Sequence, residues 1–212
     1  MHLSKGQSLF SHGHPAQNFQ IVLNGRIKLF KDNADGDQTI IHFAAPGEAL
    51  TICAIFSDSI LPFSAEAIDK AEILSIPARL LRTLAQNDHA LSKNLLVAMA
   101  EQAQTYLRQL DQLNLKSVPQ RVGNFVLRQF LSSAERNKTI TLPYDKSMIA
   151  SYLGMQPESF SRALNHLRQE GIDIDKNTIA LPHLFALCGY CDVDTAQKCS
   201  WHGTPECPNP QC

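Results

Sequence analysis

Residues 145–171 read DKSMIASYLGMQPESFSRALNHLRQEG, and two short helices joined by a tight turn account for the whole stretch. Asp145 is placed to cap a first helix in which Met148, Ile149, Tyr152 and Leu153 recur at helical spacing. Gly154 ends it, because glycine tolerates the left-handed backbone found past helix ends. After a short turn, Pro157 stands where a first helical residue belongs, its fixed φ and missing N–H costing nothing there. Phe160, Ala163, Leu164 and Leu167 then form one apolar face before Gly171. The opposite face presents Glu158, Ser161 and Arg162 near its start, with Asn165, His166 and Arg168 further along. Polar and basic groups on the second of two tightly joined helices make a helix-turn-helix, the arrangement that enters a DNA major groove.

These residues resemble the Crp/Fnr family of bacterial transcription regulators. The family's pattern stands here as Leu153-Gly154-Met155, Pro157, Glu158 and Ser161-Arg162. Upstream, Leu9-Phe10, Gly13, Pro15-Ala16, Leu23, Gly25, Lys28-Leu29, Asp35-Gly36 and Pro46-Gly47-Glu48 fall in the order of the family's β-roll sensor domain. The resemblance covers roughly residues 4–182. It implies an α+β chain: a β-roll of the cyclic-nucleotide-binding jelly-roll type over 1–87, a dimerisation helix over 88–116 and a winged helix-turn-helix over 117–182. Residues 183–212 lie outside the pattern as a cysteine-rich tail. Double-stranded DNA, a second copy of the chain and RNA polymerase are the implied partners.

Bulk properties agree with this plan without demanding it. The 212 residues suffice for one large or two small domains, and the formal net charge of −1 gives no global hint of a partner. Residues 116–177, however, hold nine Lys/Arg against six Asp/Glu, a mildly basic segment suited to localised phosphate contact. No apolar run is long enough to span a membrane, and no leader pattern precedes one, so a cytoplasmic protein is expected. No Ser/His/Asp grouping, phosphate loop or paired-carboxylate pattern stands out, and the chain reads as a non-enzyme.

The first ninety residues alternate β-like runs with turn signals. Phe19–Leu23 and Arg26–Lys31 flank Asn24-Gly25, which predicts a tight hairpin, and Gln38–Phe43 supplies the next strand. In family members that bind cyclic AMP, a Gly-Glu pair and an Arg before Ser-Ala hold the phosphate and ribose. Thr51, Ile52 and Phe63 stand at those positions, and a buried phosphate without a guanidinium partner is poorly compensated, so cyclic AMP is disfavoured. Leu50, Ile52, Cys53, Ile55, Phe56, Leu61 and Phe63 either form core or line an apolar pocket for haem or another planar ligand, with Cys53 read as a small core residue. No cysteine precedes Cys53, so an N-terminal iron–sulfur cluster has no thiolates to hold it.

Asp88–Lys116 contains neither Gly nor Pro and predicts one helix of about 28 residues, roughly 42 Å long. Leu96, Met99, Ala103, Tyr106, Leu110 and Leu113 recur at alternating three- and four-residue intervals, the seam of a coiled coil. A homodimer is expected through this seam, and two-fold symmetry then calls for an inverted-repeat site. Pro119 breaks the long helix near Ser117, Thr139–Leu142 supplies a strand before the helix-turn-helix, and Ile172–Ile174 and Thr178–Leu181 form a two-stranded wing after it.

Readout can be stated residue by residue. Arg162 can bond guanine O6 and N7 through its rigid fork, Glu158 can accept from a cytosine amino group, and Ser161 can sit near a thymine. The triplet is like that of the Fnr branch, whose half-sites are of the TTGAT type. Standing alone, Glu158 would serve as a helix-dipole partner and the other two as solvated surface. Ser159, Asn165, His166 and Arg168 are read as phosphate contacts or solvent-facing groups.

The tail spaces its cysteines as Cys188-x2-Cys191-x7-Cys199-x7-Cys207-x4-Cys212, with no apolar periodicity. Crowded thiols in a chain expected to be intracellular favour metal or redox use. Three readings stay open: an iron–sulfur cluster, of the 4Fe-4S kind, on four of the five cysteines and sensing redox state, oxygen or nitric oxide; a structural zinc on Cys188, Cys191, Cys199 and His202, with haem or another ligand sensed in the β-roll; and a dithiol switch or reactive extension. Some Fnr-like regulators carry a C-terminal cluster, and that resemblance puts the cluster first.

Overall fold

The computed structural model describes residues 1–33, 36–57, 59–132, 139–183 and 185–209. The chain divides into two compact units, Met1–Gln109 and the residues from Leu110 onward.

The first unit holds β1 (His2–Leu3), β2 (Ser8–Phe10), β3 (Asn18–Asn24), β4 (Ile27–Asp32), β5 (Gln38–Ala44), α1 (Ile52–Phe56), β6 (Ser64–Ala67), β7 (Ala71–Pro77), α2 (Ala78–Asn87) and most of α3 (His89–Leu115). Two antiparallel sheets, ordered β1-β7-β3 and β2-β6-β4-β5, form the roll. Strand alternation sends Val22, Ile27, Leu29, Ala65 and Ile73 into one buried cluster. A second cluster joins Phe19, Ile52, Ile55, Leu81 and Leu95, packing α1, α2 and the start of α3 together on β3.

The expected hairpin at Asn24-Gly25 is not one. β3 pairs with β7, whereas β4 pairs with β5 and β6, so the chain changes sheets at Gly25. Gly25 has φ +78° and lies so close to the 70–71 backbone that a Cβ would come within 2.3 Å of the Lys70 carbonyl oxygen. The dipeptide is therefore required by a crossover under tight backbone contact. The true hairpin joins β4 and β5.

Of the apolar run proposed as core or pocket, Leu50, Ile52, Ile55, Leu61 and Phe63 are buried as core, whereas Phe56 at the end of α1 is exposed. Phe63 lies 6.1 Å from the Phe10 ring, and the Thr51 hydroxyl donates to the Asn18 carbonyl. Cys53, expected inside, is exposed, because one turn of α1 that buries Ile52 and Ile55 turns the intervening residue outward.

The seam of α3 divides. Leu96, Ala103 and Leu110 are exposed, the first at 67% and the last at 52%. Met99 instead packs on the cluster around Phe19, Tyr106 lies edge-on to the His42 ring at 6.2 Å, and Leu113 lies within the second unit, where a Cβ on Gly154 would come 2.6 Å from it. The stripe left exposed is Leu96, Ala100, Ala103, Leu107 and Leu110, again at four- and three-residue intervals but one position further round the helix.

The second unit holds α4 (Val118–Ser132), β8 (Thr139–Thr141), α5 (Lys146–Tyr152), α6 (Pro157–Gln169), β9 (Asp173–Asp175), β10 (Thr178–Ala180) and α7 (Val193–Ala196). The wing is a three-stranded antiparallel sheet ordered β8-β10-β9, with Lys176 at φ +47° in its turn. Val122, Val126, Ile149, Phe160, Leu167, Ile172 and Ile179 form its core, and Leu187 joins them with no exposed surface. The cysteine segment, for which no core was expected, thus shares the core of the winged helix; one leucine and the small residues Thr195 and Ala196 suffice where no periodic run exists.

Tyr106 provides a test of packing in the first unit. Its hydroxyl is buried without a hydrogen-bond partner among the described residues, and burial, then the nearby Cys53 and Glu48, push its pKa up to about 12. The folded chain thus holds the proton more tightly than the unfolded one. Stability should be full below about pH 10 and fall as pH rises through about 12. Tyr106→Phe loses no hydrogen bond and should stay within about 1 kcal/mol of the parent at neutral pH. Urea titrations across that range should show the alkaline fall flattened in the variant.

Candidate DNA-reading surface and cysteine segment

The reading surface is set by how the two helices stop and start. Asp145 takes the extended backbone of an N-cap, but its side chain makes no capping bond; its carbonyl accepts from Ile149 N–H at 3.0 Å. Gly154 has φ +62°, and Met155 N–H reaches back to the Ala150 carbonyl at 3.0 Å, closing the turn. Arg121 of α4 holds the same turn by donating to the carbonyls of Leu153 at 2.6 Å and Gly154 at 3.3 Å. Pro157 opens α6 as its first residue.

With Phe160, Ala163, Leu164 and Leu167 buried, α6 can turn only its other face outward. Glu158, Ser161 and Arg162 are exposed together there, along with Asn165 and His166. Ser159 is half-buried, and its hydroxyl accepts from Arg162 Nη2 at 3.3 Å, so it steadies the guanidinium one turn on. His166 lies 3.8 Å from Glu170. Arg168, read from sequence as a phosphate contact or solvent-facing group, is a strut: its guanidinium donates to the Ile174 carbonyl at 2.8 Å and to Asn165 Oδ1 at 2.6 Å, fastening α6 to β9. Neither Arg121 nor Arg168 could be assigned from spacing, since their partners are carbonyls brought near by the fold.

The cysteine segment is fastened at four places. Lys116 pairs with Asp192, whose carboxylate also caps α7 by accepting from Thr195 N–H at 2.8 Å. Burial pushes the Asp192 carboxyl up, but the bonds from Lys116 and Thr195 outweigh it and hold it below the usual range. Fully buried Asn124 accepts from Gln112 at 3.0 Å and donates to the Tyr190 carbonyl at 3.0 Å and the Thr195 hydroxyl at 3.1 Å. The Tyr190 ring lies on Gly123, where a Cβ would fall 2.2 Å from it. Its hydroxyl donates to Glu170 at 2.6 Å, at the end of the reading helix. Burial and the Glu170 carboxylate both push that phenol's pKa up.

The described residues hold four of the five expected metal ligands. Cys188 opens a 3-10 turn that Cys191 follows on extended backbone, Cys199 follows α7, Cys207 contacts its own loop at the Asn209 carbonyl, and Cys212 lies outside the described residues. Among the described residues no three His, Cys, Asp or Glu side chains converge so as to hold a metal ion. The Asn209 side chain donates to the Cys188 carbonyl at 3.2 Å, so the loop that carries Cys207 returns to the Cys188 turn.

Comparison with known proteins agrees with this geometry. Residues 1–88 match the cyclic nucleotide-binding domain family, and residues 120–190 match the Crp-like helix-turn-helix domain. The chain is 27% identical over 183 residues to the nitrogen fixation regulation protein FixK of Azorhizobium caulinodans, covering 84% of this chain and 70% of that one. It is 24% identical over 173 residues to the transcriptional activator Anr of Pseudomonas aeruginosa, covering 80% and 70%. The fold is that of FixK2 from Bradyrhizobium japonicum, with a TM-score of 0.78 over 91% of this chain and 96% of that one at 23% identity. These relatives are transcription regulators and not enzymes, and with a β-roll, a long helix and a helix-turn-helix in this order, the chain belongs to the Crp/Fnr family of DNA-binding transcription regulators.

Proposed function

We propose that this regulator works in the cytoplasm as a homodimer, reads an inverted repeat of TTGAT-type half-sites, and acts on RNA polymerase at the promoters it binds. The observation that carries the half-site reading is the joint exposure of Glu158, Ser161 and Arg162 on the one face of α6 that the core leaves outside. The homodimer rests on the apolar stripe Leu96, Ala100, Ala103, Leu107 and Leu110, which is exposed among the described residues.

The cysteine segment is the proposed receiver of a redox, oxygen or nitric oxide signal. The crowding of thiols within reach of the DNA-reading helix supports this. An iron–sulfur cluster on four of the five tail cysteines is the receiver this reading puts first. Protein purified without oxygen should show matched iron and acid-labile sulfide, with a visible band that disappears in Cys188→Ala/Cys191→Ala. A colourless protein with one zinc per chain would remove the cluster reading.

Two substitutions test the rest. Arg162→Ala should cost about 1–3 kcal/mol per half-site and leave weak, salt-sensitive binding. A competition gel-shift that still prefers TTGAT-type repeats would remove Arg162 from readout. Leu107→Lys places a charge in the exposed stripe and should shift the chain toward monomer in sedimentation equilibrium, whereas the same change would be tolerated if the seam ran through Tyr106.

A further inference from the structure

We propose that the β-roll carries a binding site for a small, uncharged, planar molecule with a lactam edge, an N–H donor beside a carbonyl acceptor, and that the side-chain amide of Gln20 pairs with that edge. The inference goes beyond the DNA-binding reading and rests on neither the half-site nor the cysteine segment.

Strand alternation supplies the first observation. Phe19 and Ile21 belong to the cluster that holds Ile52, Ile55 and Leu95, so Asn18, Gln20 and Val22 turn to the other face of β3. Val22 has no exposed surface and lies in the core of the roll, on which Leu9 and Phe10 of β2 also pack. Two positions before Val22 on that inner face an apolar residue is expected, and the chain places a glutamine there. Gln20 is only 7% exposed. Its backbone carbonyl accepts from Leu50 N–H at 2.9 Å, but its side-chain amide makes no hydrogen bond among the described residues. An amide brings two donors and an acceptor, and burying them unpaired is unfavourable. An occupant that pairs with them removes that cost.

The second observation is the space the amide faces. A cavity of about 260 Å³ lies between strands of the two sheets, with Leu9 and Phe10 of β2, Asn18 and Gln20 of β3, and Pro15 and Leu61 around it. Backbone bonds hold its walls in place: Gly13 N–H donates to the Leu61 carbonyl at 2.9 Å, Leu61 N–H donates to the His14 carbonyl at 2.8 Å, and the Thr51 hydroxyl donates to the Asn18 carbonyl at 2.9 Å. The cavity is therefore built into the fold, as ligand sites commonly are.

Its lining selects the chemistry. Among the described residues no Lys, Arg, Asp or Glu lines it, so a phosphate or carboxylate would enter without a counter-charge. Leu9, Phe10 and Leu61 offer apolar surface to a flat ring, and the volume suits a single ring better than a nucleotide. Gln20 can then donate to the ring carbonyl and accept from the ring N–H, two bonds in one plane. Thr51, Ile52 and Phe63, which stand at the cyclic-nucleotide positions, are not part of this lining.

The test is titration calorimetry of the full chain with uracil and 2-pyridone, each beside its N-methylated counterpart, 1,3-dimethyluracil and N-methyl-2-pyridone. At least one of the two lactams should bind, and its N-methylated form should bind at least tenfold more weakly. Gln20→Met keeps the length of the side chain without its donors and acceptor, and should lower the affinity for the same lactam at least tenfold. If that variant does not fold, the N-methyl comparison on the parent chain decides. Absence of binding by both lactams, equal binding of the N-methylated forms, or a folded Gln20→Met that binds as the parent does would overturn the proposal.

Discussion

The buried amide of Asn124 is the constraint on which the second unit depends. A side-chain amide with no exposed surface must find partners for both its donor and its acceptor, or forfeit on the order of 1–3 kcal/mol for each group left bare. Gln112 from the end of α3 supplies the donor it accepts from, and Tyr190 and Thr195 from the cysteine segment supply the acceptors. One side chain on α4 therefore fixes the helix that precedes the DNA-binding fold and the segment that follows it. Lys116 with Asp192 repeats the connection between the same two pieces at the edge of the site. The cooperativity of such a network lies in its all-or-none satisfaction, since losing one member leaves the others unpaired in a low-dielectric setting.

The reading helix shows how far local sequence can carry. Gly154 and Pro157 punctuate the chain by backbone chemistry alone, and Phe160, Ala163, Leu164 and Leu167 fix the helical phase. Once that phase is fixed, the outward position of Glu158, Ser161 and Arg162 follows. The roll was legible as a set of strands for the same reason, namely alternation between turn residues. Its connectivity was not. Asn24-Gly25 signals a sharp change of direction, and nothing within a few residues says whether the next strand returns beside the last one or crosses to another sheet; the neighbouring 70–71 backbone decides it.

The long helix fails in a different way. Positions 96, 103 and 110 belong to either of two heptad frames, and Met99 and Tyr106 are as apolar as Ala100 and Leu107. Only knowledge of which side the roll covers, with Met99 on the Phe19 cluster and Tyr106 against His42, separates the frames. The cysteine segment was least legible of all, because its anchoring uses single residues such as Leu187 and Tyr190 whose partners lie more than sixty residues away for Asn124 and Gly123. Spacing identified its thiols, but not the contact by which the Asn209 side chain returns the end of the segment to the Cys188 carbonyl.

The burial of Leu187 and Thr195 also sets an order on synthesis. A chain emerging from the ribosome folds its early domain first, and here the helix-turn-helix and the three-stranded wing are complete by Ala180. Its core at that moment has a vacant socket and an unsatisfied amide. Only after about fifteen further residues have been made do Leu187, Tyr190 and Thr195 fill them. Full packing of the DNA-binding unit therefore waits on residues that follow its wing in the chain.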